Sequence, residues 1–312
     1  MRRVFITGAA TWTGGTLIRQ LADRDDLEVF AVDDRPPTIS FDAHFEELSL
    51  DRLSLARHML EVEPHTIVHL QSVHPTAEEG RNRDPEERVM GALALFGAIE
   101  RLDSVHSVVV KSDTGIYGSS PRNPSFLAEA TRPQGRPNRF QRDLTEMERF
   151  VTEVAERHSD IKYTILRFAP IFGANVRNPM SRYLTMKIVP TLMGFDPRLQ
   201  FIHEDDAVAA LDHALDADVE GTFNVAARGQ LYLSRILRLG NRIPQPLPGR
   251  VFESAITGLA RADLAVPAHL QDLLKHGRVT DTSAMSTVLN FEPAHTCRQT
   301  VLAAYGISGV VE

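Results

Sequence analysis

The chain is poor in cysteine, and it has no long run of apolar residues or of one charge. Its single cysteine, Cys297, excludes an internal disulfide among 312 residues, as expected in a reducing cytosol. No apolar stretch approaches the roughly 18 residues that a membrane span needs. The apolar residues after Met1-Arg2-Arg3 are too few for a secretion signal. A net charge of -7 without a long basic stretch argues against nucleic acid. We therefore expect a cytoplasmic protein that binds neither membranes nor nucleic acids.

Composition and periodicity indicate a globular fold with a parallel sheet. Hydrophobic residues make up 43% of the chain and charged residues 24%, which is typical of globular proteins. The first half alternates short apolar runs with helical patterns. Strands are predicted over residues 4–7, 27–32, 66–70, 105–111 and 163–168, and helices over residues 16–23, 53–62, 85–102 and 140–158. Strands that alternate with helices predict a parallel sheet covered on both faces.

A glycine-rich turn joins the first predicted strand to the first predicted helix. It reads Thr7-Gly8-Ala9-Ala10-Thr11-Trp12-Thr13-Gly14-Gly15. Gly8 permits a tight turn, Gly14 lets the helix pack close to the strand, and the helix N-terminus offers N–H groups to a pyrophosphate. Thr11 occupies the position of the usual middle glycine, and its hydroxyl is a candidate donor to a phosphate. The alternative is that the glycines serve only the packing of the turn and that no phosphate is bound.

An acidic residue follows this turn at the spacing of a dinucleotide-binding fingerprint. Asp33 lies just beyond the second predicted strand, about 20 residues after the turn. A carboxylate here can bind both hydroxyls of a ribose and repels a 2′-phosphate, so we expect NAD rather than NADP. The nearby Arg35 favours the opposite choice. The predicted cofactor-binding residues are Gly8, Thr11, Trp12, Thr13, Gly14, Asp33, Leu70 and Gln71.

Two proline-containing segments interrupt the alternation of strands and helices. Residues 119–138 contain four prolines and predict a long loop, and residues 174–198 break the pattern again. A helix over 205–216 and a strand over 221–226 then rejoin the sheet. The sequence thus predicts an α/β fold, a Rossmann-type doubly wound parallel sheet with a small interleaved C-terminal substrate lobe. We assign to the sheet domain residues 1–175 and about 205–228, and to the lobe residues 176–204 and 229–312.

Five further segments occur in a fixed order along the chain. They are Ile67-Val68-His69-Leu70, Ile116-Tyr117-Gly118-Ser119-Ser120, Leu166-Arg167-Phe168-Ala169-Pro170-Ile171-Phe172-Gly173, Phe201-Ile202-His203-Glu204-Asp205-Asp206 and Phe223-Asn224-Val225. Phe172 stands where the third pattern has a tyrosine. With the glycine turn, these segments span nearly the whole chain. The segments and their order are typical of extended short-chain dehydrogenases. The sequence therefore resembles the NAD-dependent epimerase/dehydratase family, whose best-known members act on nucleotide sugars.

The resemblance implies a catalytic triad of serine or threonine, tyrosine and lysine, and here this chain departs from the family. In the family the tyrosine is acid and base for a sugar hydroxyl, and the lysine four residues later lowers the tyrosine pKa and holds the nicotinamide ribose. Alignment on Glu148-Arg149 puts Phe140 at the tyrosine and Leu144 at the lysine. The serine or threonine position falls on Asp113. Phenylalanine cannot transfer a proton, so ordinary tyrosine-based chemistry is not expected.

Other ionisable residues are candidates for the missing roles. Lys111 ends the fourth predicted strand, and Asp113 lies two residues further on. Side chains alternate between the two faces of a strand, so these two are expected on one face of the sheet. The lysine could replace the lost cation, and the aspartate could act as a general base. The alternative is that the two side chains only form an ion pair with each other and contact no ligand. Tyr117 is a third candidate, although the resemblance implies a structural loop role for it.

Several further positions bear on ligands. The resemblance implies an asparagine where this chain has Arg88, and an adenine-contacting aspartate where it has Ser49. His69 and His203 match structural positions, and no clustered ligand spacing occurs, so no metal is expected. Four arginines are either surface residues or partners for a substrate diphosphate; they are Arg177, Arg182, Arg198 and Arg235.

Two functions from different classes remain open. The first is an atypical NAD-dependent epimerase/dehydratase-like oxidoreductase, acting on a nucleotide-sugar-like or other hydroxylated small molecule. The second is a non-catalytic, NAD-responsive binding or regulatory protein, which the missing tyrosine and lysine favour. The resemblance also implies a homodimer built from the long helices over 85–102 and 140–158. Met147, Val151 and Val154 recur at helical spacing and face either a partner or the core.

Overall fold

The main sheet is parallel and doubly wound. The computed structural model describes residues 1–48, 52–71, 85–260 and 264–307. Within them, seven strands form this sheet: β1 (Arg2–Thr7), β2 (Leu27–Asp33), β3 (His44–Glu47), β4 (Thr66–His69), β5 (Ser107–Asp113), β6 (Lys162–Phe168) and β11 (Gly221–Val225). Their order is β3-β2-β1-β4-β5-β6-β11, all parallel. The direction of winding reverses between β1 and β4, which confirms the predicted Rossmann-type α/β fold.

Alternating strand residues build a separate apolar core on each face of this sheet. Val4 and Ile6 pack on one face and Phe5 on the other, and all three are fully buried. The first face is covered by α1 (Trp12–Ala22) and α6 (Glu204–Asp216). The second face is covered by α2 (Arg52–Val62), α3 (Pro85–Ile99) and α4 (Arg139–Arg157). Helices on both faces explain why the central strands read as nearly continuous apolar runs.

The apolar stripe of α4 belongs to the core. Met147, Val151 and Val154 are at most 1% exposed and pack in the cluster that also contains α3 residues. This confirms the core alternative of the sequence analysis, and these side chains are not available to a partner. The homodimer stays a prediction. On α3, Met90 is 61% exposed and gives this helix an apolar contact point at the surface.

A third apolar cluster forms outside the sheet from residues between Phe172 and Tyr305. Its short strands pair in twos, namely β7 (Ile171–Phe172) with β10 (Ile202–His203), β8 (Ile188–Leu192) with β13 (Ile243–Leu247), and β9 (Arg198–Leu199) with β12 (Leu231–Tyr232). Its helices include α5 (Pro179–Leu184), α7 (Leu233–Leu239), α8 (Gly249–Leu259), α9 (Ala268–His276) and α11 (Cys297–Ala304). α10 (Ser283–Thr287) packs instead on the sheet through Met285. The division into domains stays a prediction.

Some elements differ from the predicted ones. α1 begins at Trp12 rather than residue 16, α3 ends at Ile99, and β3 was not predicted. Residues 119–138 contain no helix or strand, as expected. Backbone hydrogen bonds hold this segment against the C-terminal part of the chain. The amide of Leu127 donates to Val279 and its carbonyl accepts from Asp281, at 3.0 and 2.9 Å. Among the residues described, no helix combines the length and apolar character needed to cross a membrane.

Candidate functional site

The glycine turn brings the start of α1 against the end of β1. Gly8 has φ +86°, and a Cβ there would lie 3.0 Å from the backbone nitrogen of Gln71. A Cβ on Gly14 would lie 2.1 Å from the carbonyl oxygen of Gly8. Both positions therefore require glycine. The contact also places Leu70 and Gln71, which follow β4, directly beside the turn.

Thr11 caps α1 instead of reaching out of the turn. Its hydroxyl donates to the carbonyl of Gly8 at 3.1 Å and accepts from the amide of Gly14 at 3.0 Å. Its proton is thus directed into the turn, not toward the phosphate suggested by the sequence. The amides of Trp12 and Thr13 belong to the first helical turn, where no intrahelical acceptor exists. A tight turn and a helix N-terminus of this kind fit a pyrophosphate.

Asp33 lies at the end of β2, beside the glycine turn. The residue is 4% exposed. One carboxylate oxygen accepts from the amide of Ala10 at 2.9 Å, and the other accepts from the amide of Asp34 at 2.8 Å. The Nε atom of Arg35 lies 3.5 Å from a carboxylate oxygen of its neighbour Asp34. A carboxylate at the end of β2, beside the glycine turn, fits the ribose of a dinucleotide.

Phe140 and Leu144 lie one turn apart on α4, at 8% and 2% exposure. The start of this helix is fixed by a capping box, in which Asn138 accepts from the amide of Gln141 and Gln141 accepts from the amide of Asn138. The ring of Phe140 stacks on His269 of α9, with centroids 3.9 Å apart and an interplanar angle of 19°. The two positions that the sequence analysis aligns with the family's tyrosine and lysine are therefore buried and apolar.

Asp113 lies at the carboxyl end of β5, and its side chain is 38% exposed. One carboxylate oxygen accepts from the amide of Gly115 at 2.5 Å and lies 3.7 Å from a guanidinium nitrogen of Arg278. The Arg278 side chain is only 3% exposed, and burial lowers its pKa. The sequence analysis missed this arginine as a neighbour of Asp113. The carboxylate keeps solvent access, as a group that contacts substrate needs.

Lys111 lies two residues before Asp113 on β5 and is half-buried. Its positive charge acts on His69 at the end of β4. Burial, with a smaller contribution from Lys111, lowers the pKa of His69 to about 4. His69 Nδ1 is paired with the hydroxyl of Thr7 at 2.8 Å, and its ring meets Phe96 edge-on. His69 is thus a neutral core residue at neutral pH.

Tyr117 is held in a buried polar network. Its hydroxyl donates to Asn224 at 2.7 Å and accepts from Arg167 at 2.7 Å. Arg167 also binds both carboxylate oxygens of Glu148, and Ser112 donates to the same carboxylate at 2.5 Å. Burial raises the pKa of the Tyr117 phenol. The network fixes the position of the Tyr117 side chain and uses both the donor and the acceptor of its hydroxyl.

The other positions singled out in the sequence analysis are spread over the molecule. The buried ring of His203 stacks on His295 at 3.9 Å, and burial lowers its pKa. Arg198 stacks loosely over Phe126, while Arg177 and Arg235 are exposed and Arg182 is half-buried. Among the described residues, no group of three or more histidine, cysteine, aspartate or glutamate side chains is placed to hold a metal. Ser49 and the side chain of Arg88 lie outside the described residues.

The comparisons with known proteins place the chain in a family. The sequence profile of the NAD dependent epimerase/dehydratase family matches residues 4–226. An uncharacterized protein of Mycobacterium tuberculosis strain H37Rv is 36% identical over 307 residues, which cover 94% of this chain and 80% of that protein. The chain therefore belongs to the NAD dependent epimerase/dehydratase family.

Solved structures share the whole fold at low sequence identity. The UDP-glucose 4-epimerase of Thermotoga maritima, solved with UDP-glucose, has a TM-score of 0.74 and 17% identity and covers 98% of both chains. MoeE5 in complex with UDP-glucuronic acid and NAD has a TM-score of 0.73 and 20% identity, again over 98% of both chains. The dTDP-glucose 4,6-dehydratase of Bacillus anthracis, in complex with NAD, has a TM-score of 0.73 and 12% identity, covering 98% of this chain and 96% of that chain.

Proposed function

We propose that the protein binds NAD and uses it in a redox, epimerisation or dehydration reaction of a nucleotide-sugar-like or other hydroxylated small molecule. The observation that carries this proposal is the crowded Gly8–Gly14 turn with Asp33 beside it, at the carboxyl edge of a doubly wound sheet. Family membership and the NAD complexes among the structural neighbours support it. Bound NAD would supply a hydride acceptor and donor.

The residues of this chain divide the binding task between them. We assign the pyrophosphate to the N-terminus of α1 and the turn at Gly8 and Gly14, and the adenosine ribose to Asp33. Leu70 and Gln71 would line the path of the dinucleotide at the point between β1 and β4 where the winding reverses. Lys111 and Asp113 of β5 would then lie on the side of its nicotinamide half.

The proposed preference for NAD is tested by replacing Asp33. We expect the wild type to bind NAD at least about tenfold more tightly than NADP, because the buried carboxylate repels a 2′-phosphate. Asp33→Asn should weaken NAD binding and narrow the difference between the two dinucleotides. Isothermal titration calorimetry measures both affinities. Asp23→Asn, at the exposed far end of α1, is the control. Equal or tighter binding of NADP by the wild type would overturn this proposal.

For the chemical step we propose roles for two side chains of β5. Asp113 accepts a hydrogen bond from a substrate hydroxyl and is a candidate general base, because its carboxylate is partly exposed and is oriented by Gly115. Lys111 supplies positive charge beside the nicotinamide half, in place of the missing lysine. Tyr117 takes no part in proton transfer, since both roles of its hydroxyl are used in the buried network.

Turnover assays test this assignment. NAD-loaded protein is incubated with UDP-glucose, UDP-glucuronic acid and dTDP-glucose, and the products are separated by chromatography. We expect Asp113→Asn to lower turnover at least about 100-fold while NAD affinity stays within about threefold. Asp160→Asn, exposed beyond the far end of α4, should leave turnover unchanged. Full turnover in the Asp113→Asn variant would contradict the role given to Asp113.

The second candidate function is a non-catalytic, NAD-responsive binding protein. The observation that favours it is the apolar, buried pair Phe140 and Leu144 at the family's proton-transfer positions. The same experiments separate the two functions. Binding of NAD with no turnover of any hydroxylated substrate would support the second function, whereas measurable turnover that depends on Asp113 would support the first.

A further inference from the structure

The ring of Phe140 has two close neighbours, the backbone of Gly115 and the ionisable imidazole of His269. The backbone of Gly115 is so close that a Cβ there would lie 2.3 Å from a ring carbon of Phe140. Against the ring lies the imidazole of His269, in stacked contact at 3.9 Å. His269 itself is partly exposed. Phe140 is only 8% exposed, so the imidazole is the more accessible ring of this stacked pair.

The stacked pair lies on the side of the sheet assigned to the nicotinamide half. Asp33 ends β2, on one side of the reversal point between β1 and β4, while Asp113 and Gly115 follow β5 on the other side. A dinucleotide bound with its adenosine ribose at Asp33 extends across that point toward β5. His269 reaches the same edge from α9, which packs in the apolar cluster outside the sheet.

We propose that His269 is a proton-transfer residue of this site and supplies the acid–base group that α4 lacks. The proposal rests on the NAD-dependent function given above. In the oxidation direction, the O–H bond of a substrate alcohol breaks and its proton moves to the neutral imidazole. The C–H bonding pair leaves as hydride to the nicotinamide dinucleotide, which is the oxidant, and a carbonyl remains. Return of the hydride and the proton regenerates the alcohol.

The position of His269 suits a base. It is the second residue of α9, and the positive end of the helix dipole disfavours a protonated imidazole there. Imidazole is also the side chain whose ordinary titration range is closest to neutral pH. The charged or titratable groups on the elements around the stacked pair include Arg139 and Asp143 of α4, Lys111 and Asp113 of β5, Asp272, Lys275 and His276 of α9, and Arg278 beyond it.

Histidine side-chain NMR of the full chain tests the location without requiring turnover. The His269 signal, assigned with His269→Gln or His269→Asn, is titrated with saturating NAD⁺ and then with NADH. We expect its titration midpoint to be lower by about half a pH unit or more with NAD⁺, because only the oxidised ring is positively charged. His158, about 27 Å from Phe140 at the other end of α4, should titrate alike with both. Equal midpoints for His269 would overturn the proposal, whereas failure of both dinucleotides to bind would contradict the function proposed above.

A pH profile then separates His269 from Asp113. With whichever nucleotide sugar is turned over, we expect His269→Gln to lower kcat at least about 100-fold and to remove the acidic limb of the kcat profile. NAD affinity and KM should change by less than about threefold. The control is His158→Gln, which should retain the wild-type profile. An acidic limb that persists in His269→Gln but disappears in Asp113→Asn would overturn the proposal and leave the NAD-dependent function in place.

Discussion

Replacing Arg167 with methionine should lower the free energy of unfolding by about 3–5 kcal/mol, the usual cost of leaving one partner of a buried ion pair alone. The Arg167 and Glu148 side chains are 12% and 7% exposed, with a shortest N–O distance of 2.6 Å. Arg167 also donates to the Tyr117 hydroxyl and to the carbonyl of Glu129. Its loss leaves the Glu148 carboxylate with the hydroxyl of Ser112 as a remaining donor. Urea unfolding at neutral pH measures the change.

Two further variants decide whether burial is the cause. Arg157→Met removes an ion pair of similar length, 2.7 Å to Glu100, but these side chains are 51% and 37% exposed. Its cost should be below about 1 kcal/mol. The double variant Glu148→Leu with Arg167→Met should be more stable than Arg167→Met alone, because no buried charge then lacks a partner. If Arg167→Met costs no more than Arg157→Met, the network has no special stabilising role.

The fold was predictable where its elements are signalled locally. The run Val108-Val109-Val110 predicts a strand buried on both faces, and that is where β5 lies. Gly8 and Gly14 are needed at positions where a Cβ would collide, so the turn has a signature that does not depend on distant contacts. β3 could not be found in this way. It consists of His44–Glu47 at the edge of the sheet, mostly exposed, and has no apolar period.

The candidate site was predictable only in part, because its elements come from distant parts of the chain. The period of a strand placed Lys111 and Asp113 on one face without knowledge of the fold. Nothing in the local sequence links Asp113 to Arg278, or Phe140 to His269, since both partners come from the C-terminal part. For Thr11, a prediction made from the local sequence was wrong. Its hydroxyl was a candidate donor to a phosphate, but in the structure it donates to the carbonyl of Gly8 and accepts from the amide of Gly14.

The largest effect of pH on stability is expected from His69. Its pKa is about 4 in the folded chain and 6.5 as a free side chain, so in this range the unfolded chain binds more protons than the folded one. Acidification therefore destabilises the fold. The loss begins near pH 6.5, reaches about 3 kcal/mol near pH 4 and grows by only about 0.4 kcal/mol below that pH, as the folded state also becomes protonated. Burial of the imidazole is the main cause, and the charge of Lys111 adds to it.

Denaturation with urea at a series of pH values between about 4 and 7 tests this expectation for His69→Asn, whose amide oxygen can still accept from Thr7. The variant should be less stable than the wild type at pH 7, since it loses the contact with Phe96. The difference should shrink by about 3 kcal/mol as the pH falls to 4, because the variant has no imidazole to protonate at this position. Val68→Ala, a fully buried neighbour that does not ionise, is the control and should lower the whole curve without changing its slope. A constant difference between His69→Asn and the wild type across this range would show that His69 is not the group that makes the fold sensitive to acid.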